Sequence, residues 1–184
     1  MRSHYASNRH RVFPPEHFLV AFIPLLVYVI IRDKQFPDRR FVAVVFAGTQ
    51  FPDLIDKPLA YQFGVIPSGR VFMHSLPTAI PVLLVVGFYG WKTNRVRLGA
   101  AFVFSHLSHL LADNRRMLIQ QNPQIPPEML WPFVPPIERQ ITPHWAGTGG
   151  INVFLWTLFS LVVLSILVYI LVVDMSEQFA LYQK

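Results

Sequence analysis

The chain has 184 residues, of which 53% are hydrophobic and only 14% are charged. Soluble domains carry about a quarter charged residues, so the composition excludes a disordered or fibrous chain and argues against an ordinary water-soluble enzyme. The formal net charge of +6 is typical of membrane proteins whose basic loops lie beside anionic lipid headgroups. We therefore expect membrane lipid, and not nucleic acid, to be the partner of this chain.

The apolar residues are concentrated in five segments. The fifth has 23 residues without a charge, which is long enough to cross a hydrocarbon core of roughly 30 Å. Three others are short and become spans only if their polar flanks are included. The pattern predicts an all-α integral membrane protein with about five transmembrane helices, two or three of them irregular. In chain order the segments are Phe18–Ile31, Phe41–Phe51, Val71–Trp91, Leu98–Ala112 and Ile151–Val173.

These helices are predicted to form a single membrane domain over residues 1–184. The first apolar segment leads straight into Arg32-Asp33-Lys34 without a small-residue cleavage site, so we expect a retained helix and not a cleaved signal peptide. The domain is predicted to comprise a basic tail (1–13), helices one to four (14–113), a proline-rich loop (114–150), the fifth helix (151–173) and a second tail (174–184).

Most of the polar residues near these segments fall at their ends. They lie at the start of the first and third segments and at the end of the second and fourth. Because consecutive membrane helices run in opposite directions, these ends lie on the same side of the membrane. Charged groups inside a membrane are costly and mark functional sites. The set consists of His17, Asp53, Asp56, His74, His106, His109 and Asp113.

The residue types in this set are those that bind metal ions. His109 and Asp113 are spaced i, i+4 and share one face of a helix, while the absence of cysteine leaves imidazole and carboxylate as the ligands. Such a set suits a divalent metal, zinc first and otherwise iron or manganese, and seven donors allow one to three ions. His106 is either a ligand or a residue that supports one. Asp53 and Asp56 are either ligands or solvated acids at a helix end.

Arginines flank the same end of the segments. Arg70 precedes His74, and Arg115 and Arg116 follow Asp113. A guanidinium group suits bidentate contact with phosphate. The same arginines have a second interpretation as anchors at the membrane surface.

In their order, these motifs resemble the YdjM-like inner-membrane metal-dependent hydrolases, a family similar to zinc-dependent phospholipase C and related nucleases. The family pattern contains an early His, a Pro-Asp motif, a His-Arg…His-Ser motif, Ser-His-x-x-x-Asp and Trp-Pro. The matching residues in this chain are His17, Pro52-Asp53-Leu54-Ile55-Asp56, Gly69-Arg70-Val71-Phe72-Met73-His74-Ser75, Ser108-His109-Leu110-Leu111-Ala112-Asp113 and Trp131-Pro132.

Some positions depart from the pattern. Ile55 stands where the family has its second Asp, Asp56 where it has a His, and Gly69 where the third motif has its first His; Val71 and Met73 also differ. Two potential ligands are therefore lost or altered. His106, which the pattern does not include, is a candidate replacement.

The resemblance implies a phospholipase C-like helical bundle, formed by the first four helices around the polar site, and a metal-dependent hydrolase that cleaves a phosphoester of a lipid or of a substrate close to lipid. Asp53 or Asp56 would be the general base, and Arg70 would bind the phosphoryl oxygens. The alternative is a non-catalytic membrane protein that uses the His/Asp cluster as a structural metal site or to bind a partner. A metal transporter is disfavoured, because the site lies on one side and the fifth helix is apolar.

The basic residues also predict an orientation in the cell membrane. Seven of them lie in or beside two short loops on the side opposite the site, where the positive-inside rule applies most strongly. We therefore expect these loops in the cytoplasm and the site on the extracytoplasmic side. The seven are Arg32, Lys34, Arg39, Arg40, Lys92, Arg95 and Arg97.

Overall fold

The computed structural model describes residues 14–115, 125–136 and 151–182, which contain five α-helices and no strand. The all-α prediction is confirmed for this part of the chain. The predicted basic tail, residue 116 and most of the proline-rich loop lie outside the described residues. The helices are α1 (Pro14–Asp33), α2 (Arg39–Lys57), α3 (Leu76–Lys92), α4 (Val96–Asp113) and α5 (Ile151–Tyr182), with a π-helical turn at Pro58–Gln62 and a 3₁₀ turn at Pro127–Leu130.

Among the described residues, one helix is long and apolar enough to cross a membrane by length and composition. Its span is Asn152–Ile170 within α5, and α3 is apolar but shorter. The membrane prediction is supported to this extent. A full set of five spans stays a prediction.

Many large apolar side chains are exposed, whereas the ionisable residues of the predicted site are buried. Leu84 and Val85 on α3 are each 67% exposed, whereas His106, His109 and Asp56 are completely buried. A large apolar surface marks contact with a membrane or a partner, and buried ionisable groups in such a protein mark a functional site. The polarity therefore indicates lipid around the helices and a site between them.

Helix α4 packs against α1, α2 and α3, and glycines permit two of these contacts. A Cβ atom on Gly48 of α2 would lie 2.8 Å from the carbonyl oxygen of Phe102 on α4. Gly90 of α3 faces Gly99 of α4, where a Cβ on Gly90 would lie 3.1 Å from the Gly99 Cα. Small residues allow close helix approach in membrane proteins. These contacts fix the position of the site residues on α4.

Helix α2 continues beyond the apolar segment that ends at Phe51. It begins after Asp38, whose carboxylate caps the helix by accepting a hydrogen bond from the Phe41 backbone N–H at 2.7 Å. It then passes through Pro52 and ends at Lys57, followed directly by the π-helical turn. Helix α5 packs against α2 and this turn. The extension places Asp53 and Lys57 one helical turn apart, and Lys57 lies over the Trp156 ring of α5.

Candidate metal centre

Five of the predicted donors converge at one end of the helices. His17 comes from the first turn of α1, Asp53 from α2, His74 from the loop before α3, and His109 and Asp113 from the last turns of α4. Their side chains are at most 6% exposed. The donors form two groups, and within each group all donor atoms lie within 4.8 Å of one another. The groups are His17–His109–Asp113 and Asp53–His74–His109.

The donor distances fit a small divalent ion. His74 Nε2 lies 3.1 Å from His109 Nε2, 3.6 Å from Asp53 Oδ1 and 3.4 Å from Asp113 Oδ2. Tetrahedral zinc with bonds of about 2.0–2.1 Å keeps its ligand atoms roughly 3.3 Å apart. The three distances from His74 Nε2 are therefore close to the spacing between the ligand atoms of a tetrahedral zinc ion.

Asp113 is contacted on both of its oxygens. Oδ1 lies 3.4 Å from His17 Nε2 and accepts a hydrogen bond from Arg70 Nη2 at 3.1 Å, while Oδ2 faces the histidines. The His17 ring stacks on His109 with centroids 4.1 Å apart. Arg70 has a 45% exposed side chain, so a guanidinium group with access to solvent stands directly beside the donors.

The second carboxylate of the cluster, Asp53, also has a basic side chain beside it, that of Lys57. Lys57 Nζ is 2.5 Å from Asp53 Oδ2 and 4.9 Å from the centroid of the Trp156 ring on α5. Its side chain is 19% exposed. Lys57 is not among the predicted site residues, although its i, i+4 spacing from Asp53 was a usable signal. No local signal identified Trp156, since its contact depends on how α5 packs.

Asp56 and His106 belong to neither group of donors. The Asp56 carboxylate accepts hydrogen bonds from the backbone N–H groups of Phe72, Met73 and His74 and lies 2.8 Å from His74 Nδ1. His106 Nε2 lies 3.1 Å from the Met73 carbonyl oxygen, and its ring lies near Phe51 and Phe102. Both side chains face the loop that carries His74.

The environment of His74 favours a proton on its ring when no ion is bound. This residue lies outside the helices, in the loop before α3. Burial opposes a charge on the ring, yet hydrogen bonds with Asp113 and Asp56 outweigh it and raise the pKa of His74 to about 9. A divalent ion on Nε2 would replace this proton, because a metal-binding imidazole must be neutral.

Two further residues organise the same loop. Gly69 stands where the resemblance expects a histidine, and a Cβ there would lie 2.7 Å from the hydroxyl oxygen of Tyr61, so the Tyr61 ring occupies the space of that side chain. Trp131 packs edge-on against Phe72, and its carbonyl oxygen accepts a hydrogen bond from the Ser75 hydroxyl. The described part of the proline-rich loop therefore supports the segment before α3.

The helical fold, its apolar exterior and the buried His/Asp cluster define the class as a membrane protein with a candidate metal centre. A family model described as YdjM inner membrane protein matches residues 13–180, and the chain belongs to this family. Membrane localisation is thereby supported, and the description names no activity. Neither a curated protein nor a solved structure matches the chain.

Proposed function

We propose that this protein is a membrane-embedded, metal-dependent hydrolase that cleaves a phosphoester of a lipid or of a substrate close to lipid. The observation that carries the proposal is the convergence of His17, Asp53, His74, His109 and Asp113, with donor distances of 3.1–3.9 Å. A buried set of imidazoles and carboxylates is costly in a membrane protein and suits a divalent ion, zinc first.

The shared histidine favours one ion per chain. His109 belongs to both groups, and its Nε2 has one lone pair to donate. We assign Asp53, His74 and His109 as the ligands, because all three residues are buried and their donor atoms lie within 4.8 Å of one another. Three protein ligands is the number found in catalytic zinc sites, which keep one position for water.

The remaining residues are placed to handle a proton and an anion. When bound, a divalent ion lowers the pKa of water toward neutrality. We assign the general base to Asp113, in place of the expected Asp53 or Asp56, because its Oδ2 lies beside His74 and His109 while His17 and Arg70 hold Oδ1. The exposed part of Arg70 is suited to bind phosphoryl oxygens. Lys57 fixes the outer oxygen of Asp53.

Deep burial of the donors favours a second candidate function. Structural metal sites are closed, whereas catalytic sites keep an open position, and His109 is fully buried. On this alternative the ion holds α1, α2, α4 and the loop before α3 together without catalysis. The exposed guanidinium of Arg70 beside the donors is the feature that favours the hydrolase.

Metal content and hydrolysis test the proposal. Protein purified in detergent should contain about one zinc ion per chain and should hydrolyse bis(p-nitrophenyl) phosphate or phospholipid in mixed micelles. Asp53→Asn should lose at least about 100-fold in activity, and the same substitution at the far end of α1, Asp33→Asn, should retain it. A protein with stoichiometric metal and no activity on any phosphoester supports the structural alternative, and one without metal contradicts both.

We also propose that the site faces the extracytoplasmic side. The loops between α1 and α2 and between α3 and α4, together with the helix ends beside them, carry seven basic and two acidic residues at the end opposite the site. In right-side-out vesicles, a membrane-impermeant maleimide should label Gln62→Cys at the site end and spare Gln35→Cys at the basic end. Both glutamines are exposed and the chain has no native cysteine. The reverse labelling pattern would place the site in the cytoplasm.

A further inference from the structure

Two of the buried polar residues, Asp56 and His106, contact the backbone of the loop before α3, and Asp56 also contacts the Nδ1 atom of His74. Both are 0% exposed. They come from different helices, α2 and α4, and both reach the segment Phe72–His74. A buried polar side chain that binds backbone fixes the conformation of that backbone, so this segment is held from two sides.

The two contacts meet at one residue, Met73. Its N–H donates to Asp56 Oδ1 at 2.7 Å, and its carbonyl oxygen lies 3.1 Å from His106 Nε2. Met73 is itself 3% exposed. Asp56 Oδ2 also lies 2.8 Å from Nδ1 of the next residue, His74. Both the backbone and the ring of His74 are therefore held in place.

We infer that Asp56 and His106 are positioning residues that orient His74 toward the ion, and that neither is a metal ligand. This inference rests on the proposed metal site. An acceptor at Nδ1 keeps the proton there and leaves the lone pair of Nε2 for the metal. His74 Nε2 does face the donors, at 3.1 Å from His109 Nε2. Asp56 stands where the resembled family has a histidine, a residue expected to bind the metal. In this chain the Asp56 carboxylate instead orients a ligand, His74.

The same His→Gln substitution at two positions on α4 separates the roles. Glutamine places an amide N–H close to the position of His Nε2, so His106→Gln should keep the hydrogen bond to Met73 and bind zinc within about threefold of the unsubstituted affinity. His109→Gln removes a ligand and should weaken binding by more than about 100-fold, because imidazole is the stronger zinc donor. Both histidines are fully buried, which makes the pair matched.

A third variant tests the positioning effect itself. His106→Leu leaves the Met73 carbonyl without its donor and should weaken zinc binding about 10- to 100-fold, the usual cost of losing an outer-shell partner, with the stoichiometry at saturation unchanged. The zinc affinity lost in His106→Leu should be retained in His106→Gln. Isothermal titration with zinc, on the full chain in detergent, measures all three affinities.

Two results would overturn the inference. Equal losses in His106→Gln and His109→Gln would make His106 a ligand, and an unchanged affinity in His106→Leu would remove its positioning role. X-ray absorption at the zinc edge of the unsubstituted protein is a second measurement that does not depend on folded variants. It should count two imidazole ligands, the number expected from His74 and His109, whereas a third imidazole would contradict this ligand set. Absence of zinc binding by the unsubstituted protein would instead contradict the proposed function.

Discussion

His109→Ala should abolish metal binding, reducing bound zinc from about one ion per chain to a small fraction of this value. The reason is that His109 is common to both donor groups, so no other set of three donors with this spacing remains among the described residues. The loss in affinity should exceed the roughly 100-fold that removal of an outer-shell partner costs. Equilibrium dialysis followed by elemental analysis measures the bound metal.

His17→Ala is the matched comparison, since His17 belongs to only one group and is equally enclosed. It should retain one ion, with affinity lowered about 10- to 100-fold. Two ions in the unsubstituted protein, with one retained in His109→Ala, would show two independent sites and contradict the single-ion assignment.

Gly48→Ala should destabilise the protein by about 1–3 kcal/mol, the usual cost of overpacking a close contact. The new Cβ would lie 2.8 Å from the Phe102 carbonyl oxygen and 2.9 Å from the Ser105 Cβ. The first neighbour is backbone, which yields only if α2 and α4 move apart. Because Asp53 and His109 lie on these two helices, zinc affinity should fall as well. Thermal unfolding in detergent, monitored by circular dichroism, measures the stability.

Gly87→Ala on α3 is the control, because a Cβ there meets nothing within 4 Å. Alanine has the higher helix propensity, so this variant should be neutral or more stable by up to about 1 kcal/mol. A Gly48→Ala protein as stable as Gly87→Ala would show that the contact between α2 and α4 is looser than described.

The helices could be predicted from the sequence because apolar runs between charged loops are a local signal. The fifth segment was expected from Ile151, where α5 begins, and the fourth segment, Leu98–Ala112, lies within α4. Two other bounds were wrong: the third segment was expected from Val71, but α3 begins at Leu76, and the fifth was expected to end at Val173, but α5 continues to Tyr182. The end of α2 was not predictable in the same way. The apolar run ends at Phe51, but the helix continues through Pro52 to Lys57, because the acids that follow have partners inside the protein.

The sequence was enough to predict which residues lie at the site, but it was not enough to predict the role of each residue. Alternation of helix ends was enough to expect His17, Asp53, His74, His109 and Asp113 near one another. Whether an acid faces the ion or a backbone depends on a loop that arrives from elsewhere in the chain. Asp56 is three residues from Asp53, yet its partners lie 16 to 18 residues further along. Sequence spacing alone cannot separate these two aspartates.

Enclosure of the donors has a consequence for the rate at which metal exchanges. None of the five donor side chains is more than 6% exposed, whereas Arg70, which touches Asp113, is 45% exposed. Arg70 is the most exposed of the described residues that touch the donors, and we therefore expect an ion to enter and leave past the Arg70–Asp113 contact. The rate at which a chelator removes the metal would then depend on how often the Arg70–Asp113 contact breaks, and not only on how tightly the ion is bound. Arg70→Ala should accelerate metal loss to EDTA more than it changes the equilibrium affinity.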